Sequence, residues 1–160
     1  MPDTSELFGK YLNLSFRYLT ICNRSEKQIR EYLTKKEAKE EIIDKIVHVL
    51  KEKKFLNDET FARAWVLNRA RLKPKGNMLL KIELRQKGIA DDLIAKVLSE
   101  VKEEIPDELE QARNLISGRM EKVKNLSRQE MYQKFGGFLA RRGFSWDITK
   151  KAIDSYLSKD

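Results

Sequence analysis

"LKIELRQKGIADDLIAKVLSEV", residues 80–101, decides the fold. Leu80, Leu84 and Gly88 recur every fourth residue, the spacing of one helix face, and a second series, Leu93, Val97, Leu98 and Val101, follows at helical spacing. A glycine between two such series is the C′ stop of the first helix. The segment also repeats along the chain. With Leu84 as origin, Leu33 and Leu139 are its counterparts. Ile29, Leu80 and Phe135 stand four positions earlier, and Ile42, Leu93 and Ile148 nine positions later. Ile46, Val97 and Ala152 lie thirteen later, Val47, Leu98 and Ile153 fourteen later, and Leu50, Val101 and Tyr156 seventeen later. With 41% of residues apolar, chance supplies one or two such agreements. Five offsets without a gap mark a shared helix-turn-helix unit.

A further helix precedes each unit, over Leu14 to Ile21, Phe61 to Leu72 and Ala112 to Met120. In the first, Leu7, Tyr11, Leu14, Tyr18 and Ile21 form an amphipathic stripe. Strand signals are nearly absent, so the chain is predicted all-α: three tandem three-helix, helix-turn-helix-like repeats, 1–55, 56–105 and 106–160, in an elongated, curved array of nine helices. Punctuation agrees. Ser25 with Gln28 and Ser127 with Glu130 are capping boxes, Asn57 or Asp58 is an N-cap, Gly143 is a second stop, and Pro106 in "KEEIPDELEQ" is a joint. Units of about 50 residues cannot each bury a large core and are expected to stack on their neighbours.

The chain of 160 residues carries 33 Lys and Arg against 25 Asp and Glu, a net charge of +8 that favours acidic partners, nucleic acid above all. Cys22 is alone, so a disulfide framework is excluded and a reducing compartment expected. "MPDTSELFGKYLNLSF" does not read as a signal peptide, and no apolar run reaches membrane-spanning length, so the protein is expected to be soluble and intracellular. His48 has no second His and no Cys at metal-ligand spacing, and it is the one base available to a triad. No glycine loop precedes a Lys-Ser or Lys-Thr pair. Carboxylates crowd 100–110, on a charged joint without an apolar pocket to raise a pKa. Neither enzymatic activity nor a cofactor or metal is expected. Trp65 and Trp146 fall on apolar stripes and read as core.

Charge is uneven. Residues 69–88 hold seven bases and one acid, 119–142 seven bases and two acids, and 89–113 eight acids and three bases. The Lys-rich stretch 35–54 is matched by acids and reads as a solvated face. In the basic run of the middle repeat, Lys81 and Arg85 share a flank with no acid on it, while Lys87, four after Glu83, is expected to pair with it. Arg69 sits within the stripe of Phe61, Ala62, Trp65 and Leu72 and needs a counterion, Asp58 or Glu83. Arg71, Lys73 and Lys75 lie on or beside a Pro- and Gly-bearing loop, free to reach a partner.

"FLNDETFARAWVLNRARLKPKGNMLLKIELRQKGI", residues 55–89, resembles the signature of the RecX regulatory proteins. It shows Phe-Ala at the helix start, an Arg-x-Arg end, a Lys-Gly loop and a Leu-Arg-Gln-Lys-Gly-Ile finish. "NRSEKQIREYLTKK", 23–36, and "FGGFLARRGFSWDITKKAI", 135–153, are similar to the family's first and third units. The sequence departs in Asn57-Asp58, where the family often has two acids, and in Pro74 before the Lys-Gly pair.

The resemblance implies a monomeric cytoplasmic bacterial protein that binds the RecA recombinase, mainly as a filament on single-stranded DNA, with weak direct DNA binding. It implies restraint of filament extension, ATP hydrolysis, strand exchange and co-protease function. The unmatched cations expected at that partner are Arg71, Lys73, Lys75, Lys81, Arg85, Arg128, Lys134, Arg141 and Arg142. Asp58, Phe61, Trp65, Arg69, Leu84 and Gly88 are expected to be structural. A nucleic-acid binder indifferent to RecA, or a plain scaffold, are the rival readings.

Overall fold

The computed structural model describes residues 3–159. Among them the helices are α1 (Thr4–Ile21), α2 (Glu26–Lys35), α3 (Glu40–Glu52), α4 (Asp58–Leu72), α5 (Asn77–Gln86), α6 (Asp91–Glu100), α7 (Glu108–Met120), α8 (Arg128–Arg141) and α9 (Trp146–Leu157). Short 3-10 turns follow α6 and α7 at Val101–Glu103 and Glu121–Val123, and no strand occurs among the described residues. Among the described residues no helix is long and apolar enough to cross a membrane. Both capping boxes are formed. Asn57, rather than Asp58, caps α4 through its side chain, which accepts from the Thr60 N–H.

Each trio of helices closes on its own core. Ile29, Leu33, Ile43, Ile46 and Leu50 are fully buried in the first repeat, Leu84, Ile94 and Val66 in the second, and Ile116, Met120, Leu139 and Ile153 in the third. The origin of the repeat pattern, Leu33, Leu84 and Leu139, is therefore the centre of each core, where burying one such side chain stabilises by about 1.5–3 kcal/mol. Phe61 is buried alongside. The extensive helix pairings all lie within a trio, so each repeat closes its own core and the expected stacking of units on their neighbours is carried by the joints between them. Three stripe residues are corrected: Ile21 at 77%, Leu72 at 80% and Trp146 at 61% relative exposure lie outside the cores. Ile21 and Leu72 end their helices with no element beyond to cover them, and Trp146 is the first residue of α9.

The repeats are joined by one device used twice. At the first joint the turn after α5 sits on the start of α2. Gly88 has φ +81°, and a Cβ there would stand 2.6 Å from the Lys27 Cβ. Lys27 Nζ donates to the Gln86 carbonyl at 3.1 Å. At the second joint the turn after α8 sits on the start of α5: the Gly76 N–H donates to the Arg142 carbonyl at 2.8 Å, and a Cβ on Gly143 (φ +84°) would overlap Leu79. An acid from the next repeat's first helix completes each joint. Asp58 accepts from the Glu26 N–H at 2.8 Å, and Glu108 accepts from the Asn77 N–H at 2.9 Å. Both carboxylates satisfy an orphan donor at a positive helix N-terminus, and a negative helix C-terminus abuts the same place. Burial pushes the Asp58 carboxyl up, against the bond from Glu26, and the net direction is upward.

Candidate functional site

The cations of 69–88 divide on inspection. Glu83 of α5 is a hub: Oε2 accepts from Trp65 Nε1 at 2.9 Å and Arg69 Nε at 3.1 Å, and Oε1 accepts from Lys75 Nζ at 2.6 Å. The group is enclosed, with side-chain exposure of 13% for Glu83, 29% for Arg69 and 22% for Lys75. Burial pushes the Glu83 carboxyl up, but the bonds from Lys75 and Trp65 and the charges of Arg69 and Lys75 outweigh it, so it lies below the usual carboxylate range. Glu83 is thus the counterion of Arg69, as one of the two sequence alternatives had it.

Three expectations are corrected here. Lys75 is not free in the loop, because the Pro74-Gly76 turn folds it back onto Glu83. Lys87 is not the partner of Glu83. Its ammonium lies 5.3 Å from the centre of the Trp65 ring, whose other neighbour is the Arg69 guanidinium at 4.7 Å. Arg85 does have an acid on its flank, Asp91, which accepts from Nε at 2.6 Å across the turn to α6. Both partners are exposed, so the pair is weak. Without a carboxylate partner in this run are Lys87, half-buried against Trp65, and Arg71, Lys73 and Lys81, all three exposed, with Leu72, Met78 and Ile82 exposed beside them.

The third repeat differs. Among the seven bases of 119–142 only Arg128 has a carboxylate partner within the described residues, Asp154 at 3.2 Å. Lys134, Arg141 and Arg142 have none. They share a flank with two cations that the sequence reading did not single out, Arg119 of α7 and Lys122 of the following 3-10 turn. Arg119, Lys122, Lys134 and Arg141 line an open groove of about 870 Å3, with Glu121 as the one acid in its wall. Phe138 lies in this wall, with the Arg119 guanidinium 4.8 Å and that of Arg142 4.4 Å from its ring centre. Arg142 Nε is buried without a hydrogen-bond partner. Arg119 escaped notice because it is on a different helix from the Arg141-Arg142 pair, and a linear charge count does not show that α7 and α8 turn their basic flanks to one space.

Elsewhere the polar surface is ordinary. His48 is exposed, 3.4 Å from Glu52 one turn on, and Cys22 is exposed and unpaired. No group of three or more His, Cys, Asp or Glu stands together for a metal among the described residues.

Models of the first, second and third three-helix domains of RecX match residues 12–50, 57–98 and 106–153. A regulatory protein RecX from Bacillus pumilus is 40% identical over 150 residues, 91% of this chain and 56% of its own. One from Clostridioides difficile is 31% identical over 155 residues, 97% of this chain and 72% of its own. The crystal structure of RecX from Lactobacillus salivarius shares the fold, with a TM-score of 0.83 and 23% identity over 94% of this chain and 97% of that one. The chain spans just over half the length of the Bacillus relatives. Three domain matches in tandem order, and 31% identity over 97% of this chain and 72% of a curated relative, establish that this chain belongs to the RecX family of regulatory proteins.

Proposed function

We propose that the chain is a cytoplasmic modulator of the RecA recombinase, acting by binding and not by catalysis. It engages RecA as a filament on single-stranded DNA and restrains filament extension, ATP hydrolysis, strand exchange and co-protease function. Membership in a family of regulatory proteins supports the reading. The observation that carries it is the placement of unneutralised cations on two successive repeats of one jointed array: Arg71, Lys73 and Lys81 on the second, and Lys134, Arg141 and Arg142 on the third. A nucleoprotein filament offers acid and phosphate at a regular repeat, and two basic surfaces held apart by a fixed joint match a periodic target better than one patch would. Arg85 and Arg128 contribute after exchanging their exposed internal partners, whereas Lys75 stays with Glu83.

The test is retention of the chain on immobilised RecA–single-strand filaments, compared with RecA alone and with naked DNA. Strongest retention on the filament is expected. Equal retention on naked DNA would sink this reading in favour of a binder indifferent to RecA.

A further inference from the structure

One position separates the third repeat from the second. The residue just before the central core leucine is Glu83 in repeat 2 and Phe138 in repeat 3. Each faces an arginine from its own repeat's first helix. Arg69 and Arg119 occupy equivalent places, seven residues after the buried Ala62 and Ala112. In repeat 2 the meeting is an ion pair, Arg69 Nε to Glu83 at 3.1 Å. In repeat 3 it is a guanidinium on an aromatic ring, Arg119 over Phe138 at 4.8 Å. The first arrangement neutralises the arginine. The second holds it in place and leaves its charge and its donors unspent. The equivalent pair in repeat 1, Tyr18 and Tyr32, is uncharged and stacked, with ring centres 4.2 Å apart.

We infer that the groove between α7 and α8 is a binding site for the phosphodiester backbone of single-stranded nucleic acid, built by the exchange of a carboxylate for Phe138. Arg119, over the ring and in the groove wall, presents a flat, weakly hydrated fork suited to paired phosphate oxygens, and Arg142 adds its charge over the same ring. Lys122, Lys134 and Arg141 line the same space as point charges and a second fork. An extended strand fits an open groove walled by successive cations better than a compact anion does. Single-stranded chain is favoured over duplex because the groove opens between two helices of one repeat, a space that a flexible strand can enter. The inference deepens the RecA reading by naming what one of its basic surfaces holds, and it can fail on its own.

The discriminating variant is Phe138→Glu, which restores to repeat 3 the residue that repeat 2 carries at this register and supplies Arg119 with an internal counterion. Arg119→Glu with Lys134→Glu, both exposed, is a second variant that leaves the core untouched, and Lys39→Glu with Lys45→Glu in repeat 1 is its charge-matched control. Fluorescence anisotropy of a labelled oligothymidylate is read across a salt series, with unlabelled polyglutamate as competitor. Wild type and control are expected to bind alike, both groove variants about tenfold or more weaker, with a salt slope shallower by roughly 0.7 for each phosphate no longer neutralised. Unchanged binding in the groove variants, absence of binding by wild type, or displacement by polyglutamate as readily as by unlabelled oligothymidylate overturns the inference. Retention on RecA–single-strand filaments, relative to naked DNA, is measured in parallel. If retention persists while the oligonucleotide arm fails, the groove assignment falls and the RecA reading stands; the converse result removes the RecA reading and keeps the groove.

Discussion

Glu83 does at the scale of one residue what its neighbours make necessary. Three donors, two from α4 and one from the loop after it, converge on it, and removing the carboxylate leaves two enclosed cations facing each other. Glu83→Gln is expected to cost about 2 kcal/mol in urea unfolding, whereas Asp91→Asn, which breaks the exposed pair to Arg85, costs under about 1 kcal/mol. The same hub sets a pH dependence. A carboxyl held below its ordinary value stabilises the fold above that value and stops doing so as pH falls through its lowered one. Wild type is therefore expected to lose stability below the ordinary glutamate range, and Glu83→Gln to lose less there. Only part of this was legible in the sequence. Arg69 stood out as a cation in an apolar stripe, and its partner followed from what lay within reach. The Lys75 bond depends on how the loop folds back, and the Lys87 pairing failed because Trp65, on another helix, competes for that ammonium.

Positive φ and close approach make different demands. Glu37 occupies the position equivalent to Gly88 and Gly143, also in the left-handed region at φ 64°, but it is exposed, with no neighbouring repeat on it. Glu37→Gly is expected to stabilise by about 0.5–1 kcal/mol, through relief of the left-handed conformation alone. Gly143→Ala is expected to destabilise by more than that, since the new methyl group meets Leu79 as well.

Joints matter most at the scale of the element, because they alone convert three small bundles into one array. Asp58→Ala and Glu108→Ala each remove an acceptor from the first turn of the preceding repeat's middle helix, and each is expected to cost about 1 kcal/mol. The larger effect is on cooperativity: the double variant should unfold over a broader urea range, with hydrogen exchange showing separate repeats, because nearest-neighbour coupling is what makes linked units melt together. Helix ends were readable wherever the cap was local, as at Ser25 with Gln28 and Ser127 with Glu130. The joint acids were not, because Asp58 lies 32 residues from Glu26 and Glu108 lies 31 from Asn77. Asp58 is structural for a reason other than the local one its position suggests: it caps a neighbouring helix and not its own. A sequence signal did exist: an acid opens the first helix of repeats 2 and 3, and a glycine follows the middle helix of each.

Over the whole molecule, the fold was legible because hydrophobic periodicity repeats three times with the leucine of each unit at its centre. The candidate surface was legible only as excess charge. Which cations are spent internally depends on how the helices meet, and this removed Lys75 from the expected set and added Arg119 and Lys122. Binding carried by unneutralised cations has a further consequence: retention on RecA–single-strand filaments should fall steeply between low and physiological salt, and a flat salt response would point to an apolar interface instead.

The decisive measurement is RecA-driven strand exchange in the presence of increasing amounts of the chain. Wild type is expected to suppress product formation progressively. A variant reversed at Lys81, Lys134 and Arg141, still folded by circular dichroism, is expected to need about tenfold more protein for the same effect. Strand exchange that proceeds undiminished at every amount of wild type, or equal suppression by the charge-reversed variant, would contradict the account.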